Sequence, residues 1–168
     1  MKDRIRTMTA AAMFAALTCV ATMIIKIPSP MKGYLNMGDC MVLLSGWMLP
    51  PGYGFLAAGL GSALADMLCG YGVYVPATFA IKAMMAIAAH YSFRRLQQRC
   101  GLRPARIIAG MLAEITMVFG YFVFESVLYT APSAALNVIA NCVQGGVGMI
   151  LGIVLAQIFE KAHINIIC

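Results

Sequence analysis

Apolar stretches interrupted by proline, glycine and short basic clusters set the pattern of this chain. A run from about Thr7 to Ile25 follows a basic start with Lys2, Arg4 and Arg6. It could pass for a signal peptide, but it is longer than a typical h-region and no A-x-A-like site follows before Pro28, so it reads as a first span. Pro28, Pro30 and Gly33 break the helix and make a loop of Ile27 to Met37. Further apolar runs cover about Asp39 to Leu49, Gly52 to Cys69, Val75 to Phe93, Ala105 to Leu128 and Pro132 to Phe159. The second run, which ends at Pro50 and Pro51, is short for crossing a bilayer alone. The expectation is an all-α integral membrane protein, a six-transmembrane-helix bundle forming a single transmembrane substrate-binding domain over residues 1–168. No internal repeat or low-complexity segment is visible.

Composition excludes a water-soluble alternative. Of 168 residues, 62% are apolar and 11% charged, where soluble domains have roughly 45–50% and about 25%. The mean hydropathy is +0.86. Such a length holds roughly five or six spans and no separate soluble catalytic domain. The net charge of +6 therefore belongs to loops rather than to a nucleic-acid face. Lys2, Arg4, Arg6, Arg94, Arg95, Arg99, Arg103, Arg106 and Lys161 make nine of the twelve basic residues and fall on one side if the spans alternate. By the positive-inside rule that side, with both termini, is cytoplasmic.

Ionisable groups inside the spans narrow the function. Asp39, Asp66, Lys82, Glu114 and Glu125 each cost roughly 2.5–3.5 kcal/mol in lipid unless they face protein or water, and all except Glu114 fall in the outer half of the bundle. Gly54, Ala58, Ser62 and Asp66 recur every four residues beside Ala57, Gly61 and Ala65, a small-residue stripe that turns Asp66 towards protein. On the sixth span Asn137, Asn141, Gln144, Gly148 and Gly152 share a face, and Tyr121 lies one turn from Glu125. With Tyr34, Tyr71, Tyr74, Phe79 and Tyr129 these groups have the make-up of a small-molecule pocket. Plainer readings stand beside it: Asp39 as a helix N-cap, Asp66 with Lys82 as a buried ion pair, Glu114 as a structural hydrogen-bonding group, the amides as interhelical glue, and Trp47, Tyr53 and Tyr91 as interface anchors. The six cysteines form no CxxC pair and read as small packing residues. His90 and His163 stand outside any H-E-x-x-H motif, and neither a G-x-S-x-G nor a P-loop occurs, so no catalytic, metal or cofactor residue is expected.

The segments Gly33-Tyr-Leu-Asn-Met-Gly-Asp39, Gly61-Ser-Ala-Leu-Ala-Asp66 with its continuation through Gly70-Tyr71, Tyr74-Val-Pro-Ala-Thr-Phe79 and Ile81-Lys82, and Gly120-Tyr-Phe-Val-Phe-Glu125 resemble the substrate-binding S components of energy-coupling factor (ECF) vitamin transporters. The resemblance covers nearly the whole chain. It implies six helices with both termini inside, and a first loop (27–37) that folds over a vitamin near the outer surface, bringing Tyr34 and Asn36 to the site. It also implies a prokaryotic cell membrane, a transmembrane coupling subunit and two cytoplasmic ATPases. The family's A-x-x-x-A contact with the coupling subunit is matched by Ala11 with Ala15 and Ala12 with Ala16; by itself, without the resemblance, that spacing favours an intramolecular contact within the bundle. The subgroup resembles proteins of pyridoxine-like, hydroxymethylpyrimidine or riboflavin uptake, and a pyridoxine-type vitamer is favoured. Two rival functions are an intramembrane enzyme with an Asp66/Glu125 acid-base pair, which lacks a metal cluster or nucleophile, and a ligand-free membrane scaffold, which leaves the outer polar cluster unexplained.

Overall fold

The computed structural model describes residues 2–28 and 34–162. It is built from helices α1 (Lys2–Ile24), α2 (Asp39–Met48), α3 (Pro51–Leu68), α4 (Val75–Cys100), α5 (Leu102–Leu128) and α6 (Ala131–Lys161), with strands β1 (Lys26–Pro28) and β2 (Tyr34–Asn36) between the first two helices. The strands pair antiparallel, Lys26 with Asn36 and Pro28 with Tyr34, so part of the segment expected as a loop is a short hairpin. Proline sets several boundaries: it occupies the first turn of α3, α4 and α6, where its missing N–H has no intrahelical partner to lose.

The ten-residue α2 is the hub. Its residues from Asp39 to Trp47 are all buried, and it packs against α1, α3, α4 and α6. Around it α1 lies on α3, α3 on α4, α4 on α5, and α5 on α6. Glycine permits the closest of these contacts. A Cβ on Gly148 of α6 would come within 2.7 Å of the Asp39 Cβ on α2, and one on Gly61 of α3 would collide with the Ala15 carbonyl of α1. The small-residue stripe on α3 is thus buried as expected, Asp66 included.

Outward faces are apolar: Phe119, Ile139 and Val127 are 66%, 74% and 85% exposed. Three segments are long and apolar enough to cross a membrane, Asp3–Ile24, Leu102–Leu128 and Ala131–Lys161, and α2 is a shorter apolar helix.

Three local expectations are corrected. The basic stretch between the fourth and fifth runs is helical almost throughout, and the chain turns at Gly101 alone, whose φ of +82° suits glycine. Arginine, glutamine and leucine are good helix formers, so a charged stretch need not be a loop. Trp47 is no interface anchor. It is 4% exposed, with its ring 6.3 Å from that of Phe93 and the Arg106 guanidinium 6.0 Å above it. Arg106 also donates to Glu160 at 2.7 Å, tying the start of α5 to the end of α6. Of the cysteines described, only Cys40 is buried, while Cys100 and Cys142 are exposed; Cys168 and His163 lie outside the described residues.

Candidate functional site

The ends of α3, α5 and β2 and the starts of α4 and α6 surround a small polar cavity lined by Asn36, Asp66, Tyr71, Tyr74, Thr78, Tyr121, Glu125, Asn137, Asn141 and Gln144. Every one of these side chains carries a hydrogen-bonding group. Of the pocket residues expected from sequence whose side chains are described, all line it except Asp39, Phe79, Lys82 and Tyr129.

Two layers of bonds hold the lining in place. In the upper layer, Glu125 accepts from Asn137 Nδ2 at 3.0 Å on each oxygen and from the Tyr74 hydroxyl at 3.4 Å. Burial, a hydrogen bond with Tyr129 and the Glu125 charge push the Tyr74 phenol, in the turn before α4, upward, so it stays a donor at neutral pH. The Thr78 and Tyr121 hydroxyls meet at 3.1 Å. Tyr74 packs edge-on against Phe124, with ring centroids 5.3 Å apart, which fixes the phenol's direction.

The lower layer is the floor. The Lys82 ammonium forms an ion pair with Asp39, the two side chains being 2% and 0% exposed. Gln144 Nε2 donates to the other Asp39 oxygen at 2.7 Å, while Gln144 Oε1 accepts from the Asn36 N–H at 2.9 Å. One amide therefore joins the hairpin, α6 and the buried pair. Lys82 also lies 5.5 Å over the Tyr121 ring.

This geometry corrects several readings. Asp39 is no N-cap: the cap position of α2 is Gly38 with no side-chain cap bond, and the Asp39 carboxylate is occupied by Lys82 and Gln144. The partner of Lys82 is Asp39 rather than Asp66, so Lys82 supports the cavity from below instead of lining it. Phe79 faces elsewhere. It packs edge-on against Phe55 with ring centroids 5.7 Å apart, because one step beyond Thr78 turns a side chain about 100° round the helix. Tyr34 belongs to β2, and its side chain lies outside what the structure describes. Thr78 was not anticipated, although Tyr74, Thr78 and Lys82 sit four apart, a spacing that predicts one shared face.

On α1, Ala11 and Ala15 pack against the core, while Ala12 and Ala16 are exposed. The two A-x-x-x-A pairs thus face different ways. Glu114, expected to be a structural hydrogen-bonding group, has no hydrogen-bond partner on either carboxylate oxygen among the described residues.

The fold and family are shown by comparison with known proteins. The family model for the S component of the ECF-type riboflavin transporter matches residues 2–161, and the chain belongs to that family. An uncharacterized protein of Pyrococcus woesei is 36% identical over 144 residues, covering 84% of this chain and 93% of its own length. A solved structure of the S component of a bacterial ECF transporter superposes with a TM-score of 0.72 at 22% identity, covering 94% of this chain and 97% of that one. The family is one of transporter components, and the superposition shows that this chain has the S-component fold.

Proposed function

We propose that this chain captures a small single-ring vitamin of the pyridoxine type at the outer side of a prokaryotic cell membrane. In this reading it is a single transmembrane substrate-binding domain with six spans and cytoplasmic termini. It hands its ligand inward with a transmembrane coupling subunit and two cytoplasmic ATPases.

The composition of the cavity wall carries the substrate reading. The wall consists of two carboxylates, three tyrosines, a threonine and four amides, without an aliphatic side chain. A pyridine ring with a hydroxyl, two hydroxymethyl groups and a protonatable nitrogen can satisfy such a wall on most of its edges, with a single methyl group left to place. Riboflavin carries a dimethylated benzene edge, which would press methyl groups against polar groups left without partners. Asp66 and Glu125 suit a protonated ring nitrogen, and the tyrosine rings suit its face.

The test is a binding panel on the purified chain: pyridoxine, pyridoxamine, hydroxymethylpyrimidine and riboflavin, followed by calorimetry. Pyridoxine-type compounds are expected to bind most tightly, and a clear preference for riboflavin overturns the substrate reading. Alanine at Asp66, Glu125 or Asn141 is expected to remove about 1–3 kcal/mol, a roughly 5- to 150-fold loss of affinity. Full affinity in all three folded variants would put the site elsewhere.

Topology is tested separately. A reporter fused after Cys168 or inserted near Arg99 is expected on the cytoplasmic side, and one near Ser29 outside. An external signal at Arg99 would break the alternation on which the span count depends.

A further inference from the structure

The turn from α4 into α5 at Gly101 lies in a stretch that is basic throughout. Arg94, Arg95, Arg99 and Arg103 are exposed, and no acidic residue occurs between Asp66 and Glu114. Arg106 is drawn inward instead, buried against Trp47 and paired with Glu160, so the Glu160 charge is already matched. Every Lys or Arg position between Lys82 and Lys161 is an arginine. Arginine differs from lysine in presenting paired N–H donors that fit two phosphate oxygens at once.

Because the stretch is helical, these arginines have set places. Tyr91, Arg95 and Arg99 recur every four residues and share one face of α4, while Phe93 and Leu96 pack against the core. That face continues an apolar one: Met84 is 49% and Tyr91 55% exposed. On α5 the neighbours of Arg103 are alike, Leu102 being 50% and Ile107 46% exposed. A hydrocarbon core about 30 Å thick takes about twenty residues of helix, and counted from Val75, where α4 starts, it ends near Arg95. Arg95, Arg99 and Arg103 therefore lie at headgroup level, next to side chains that face lipid. The face expected to meet the coupling subunit is on α1, which has α3 between it and α4, so the bilayer is the neighbour left for this turn.

We propose that the α4–α5 turn binds an anionic phospholipid, its phosphodiester on the Arg95, Arg99 and Arg103 guanidinium groups and its acyl chains along the apolar faces beside them. The proposal depends neither on which vitamin the polar cavity takes nor on which leaflet the turn meets.

The full chain is placed in nanodiscs of equal phosphatidylglycerol and phosphatidylcholine with the same acyl chains, and the lipids it retains are identified by native mass spectrometry. Phosphatidylglycerol is expected to be enriched at least about fivefold, the factor for one basic residue near an anionic surface. Arg95→Gln, Arg99→Gln and Arg103→Gln together are expected to abolish the enrichment, and glutamine is well tolerated at exposed helical positions. Arg99→Gln alone is expected to lower it in part, so the test does not rest on the triple variant. Lys2→Gln, Arg4→Gln and Arg6→Gln, which remove the same charge from the start of α1, are expected to leave it unchanged. Excess glycerol phosphate is expected not to displace the lipid; displacement would assign the arginines to a free phosphate ester and overturn the lipid reading. Enrichment that survives the Arg95, Arg99 and Arg103 replacements, or that the α1 replacements abolish equally, would be a general charge effect and overturn the proposal. Equal retention of both lipids by the unmodified chain would overturn it as well and leave the turn to an acidic protein surface.

Discussion

Replacing Lys82 with methionine is expected to destabilise the folded protein by about 3–5 kcal/mol, the usual cost of leaving one member of a buried ion pair alone. The reason is local. Asp39 is completely buried, and its carboxylate is held by the Lys82 ammonium on one oxygen and the Gln144 amide on the other. Without Lys82 the carboxylate keeps the amide but loses its counter-charge in a place water does not reach. Unfolding in detergent, followed by circular dichroism, measures the effect. Replacing both partners, Asp39→Asn with Lys82→Met, is expected to recover most of the loss, since the charge is then removed together with its need for compensation. A single variant as stable as the parent would mean that Asp39 and Lys82 do not meet in the folded protein.

The second large effect concerns uptake. Ala16 is exposed on α1, whereas Ala15 packs against the core and its carbonyl abuts Gly61 of α3. If the Ala12 and Ala16 face docks on the coupling subunit, Ala16→Trp is expected to reduce cellular uptake to background while the purified chain keeps its affinity for vitamin. A tryptophan at that spacing prevents two helices from approaching closely. Ala15→Trp is expected to lose binding and uptake together, because the new ring has to enter the α1–α3 contact. Normal uptake with Ala16→Trp would place the docking face elsewhere.

Much of the architecture was legible because the membrane imposes simple rules. Helix ends coincide with Pro51, Pro76, Gly101 and Pro132, and the stripe ending at Asp66 is buried on the face its four-residue spacing predicts. Convergence of the site was legible for a related reason: charged and amide groups in apolar helices must turn towards one another. Pairing was not. Asp39 and Lys82 are 43 residues apart, and no helical spacing distinguishes Asp39 from Asp66 as the lysine's partner. Trp47 misled because an aromatic near a span end fits an interface anchor as well as a packed ring. Thr78 was overlooked since a hydroxyl can satisfy itself on its own helix and so leaves little trace in an apolar run.

The short central helix also sets a measure. Ten residues of α2 rise about 15 Å, roughly half of a hydrocarbon core about 30 Å thick. The polar cavity adjoins the half that α2 leaves open, with Asp39 as its base and Asn36 of the hairpin at its side. Helix length thus acts as a ruler for cargo. One added turn before Asp39 would raise the base by about 5.4 Å and shrink the chamber, and one turn fewer would deepen it. Relatives could exchange one cargo for another of different size by moving the point where the hairpin hands over to α2, with the surrounding ring of helices unchanged.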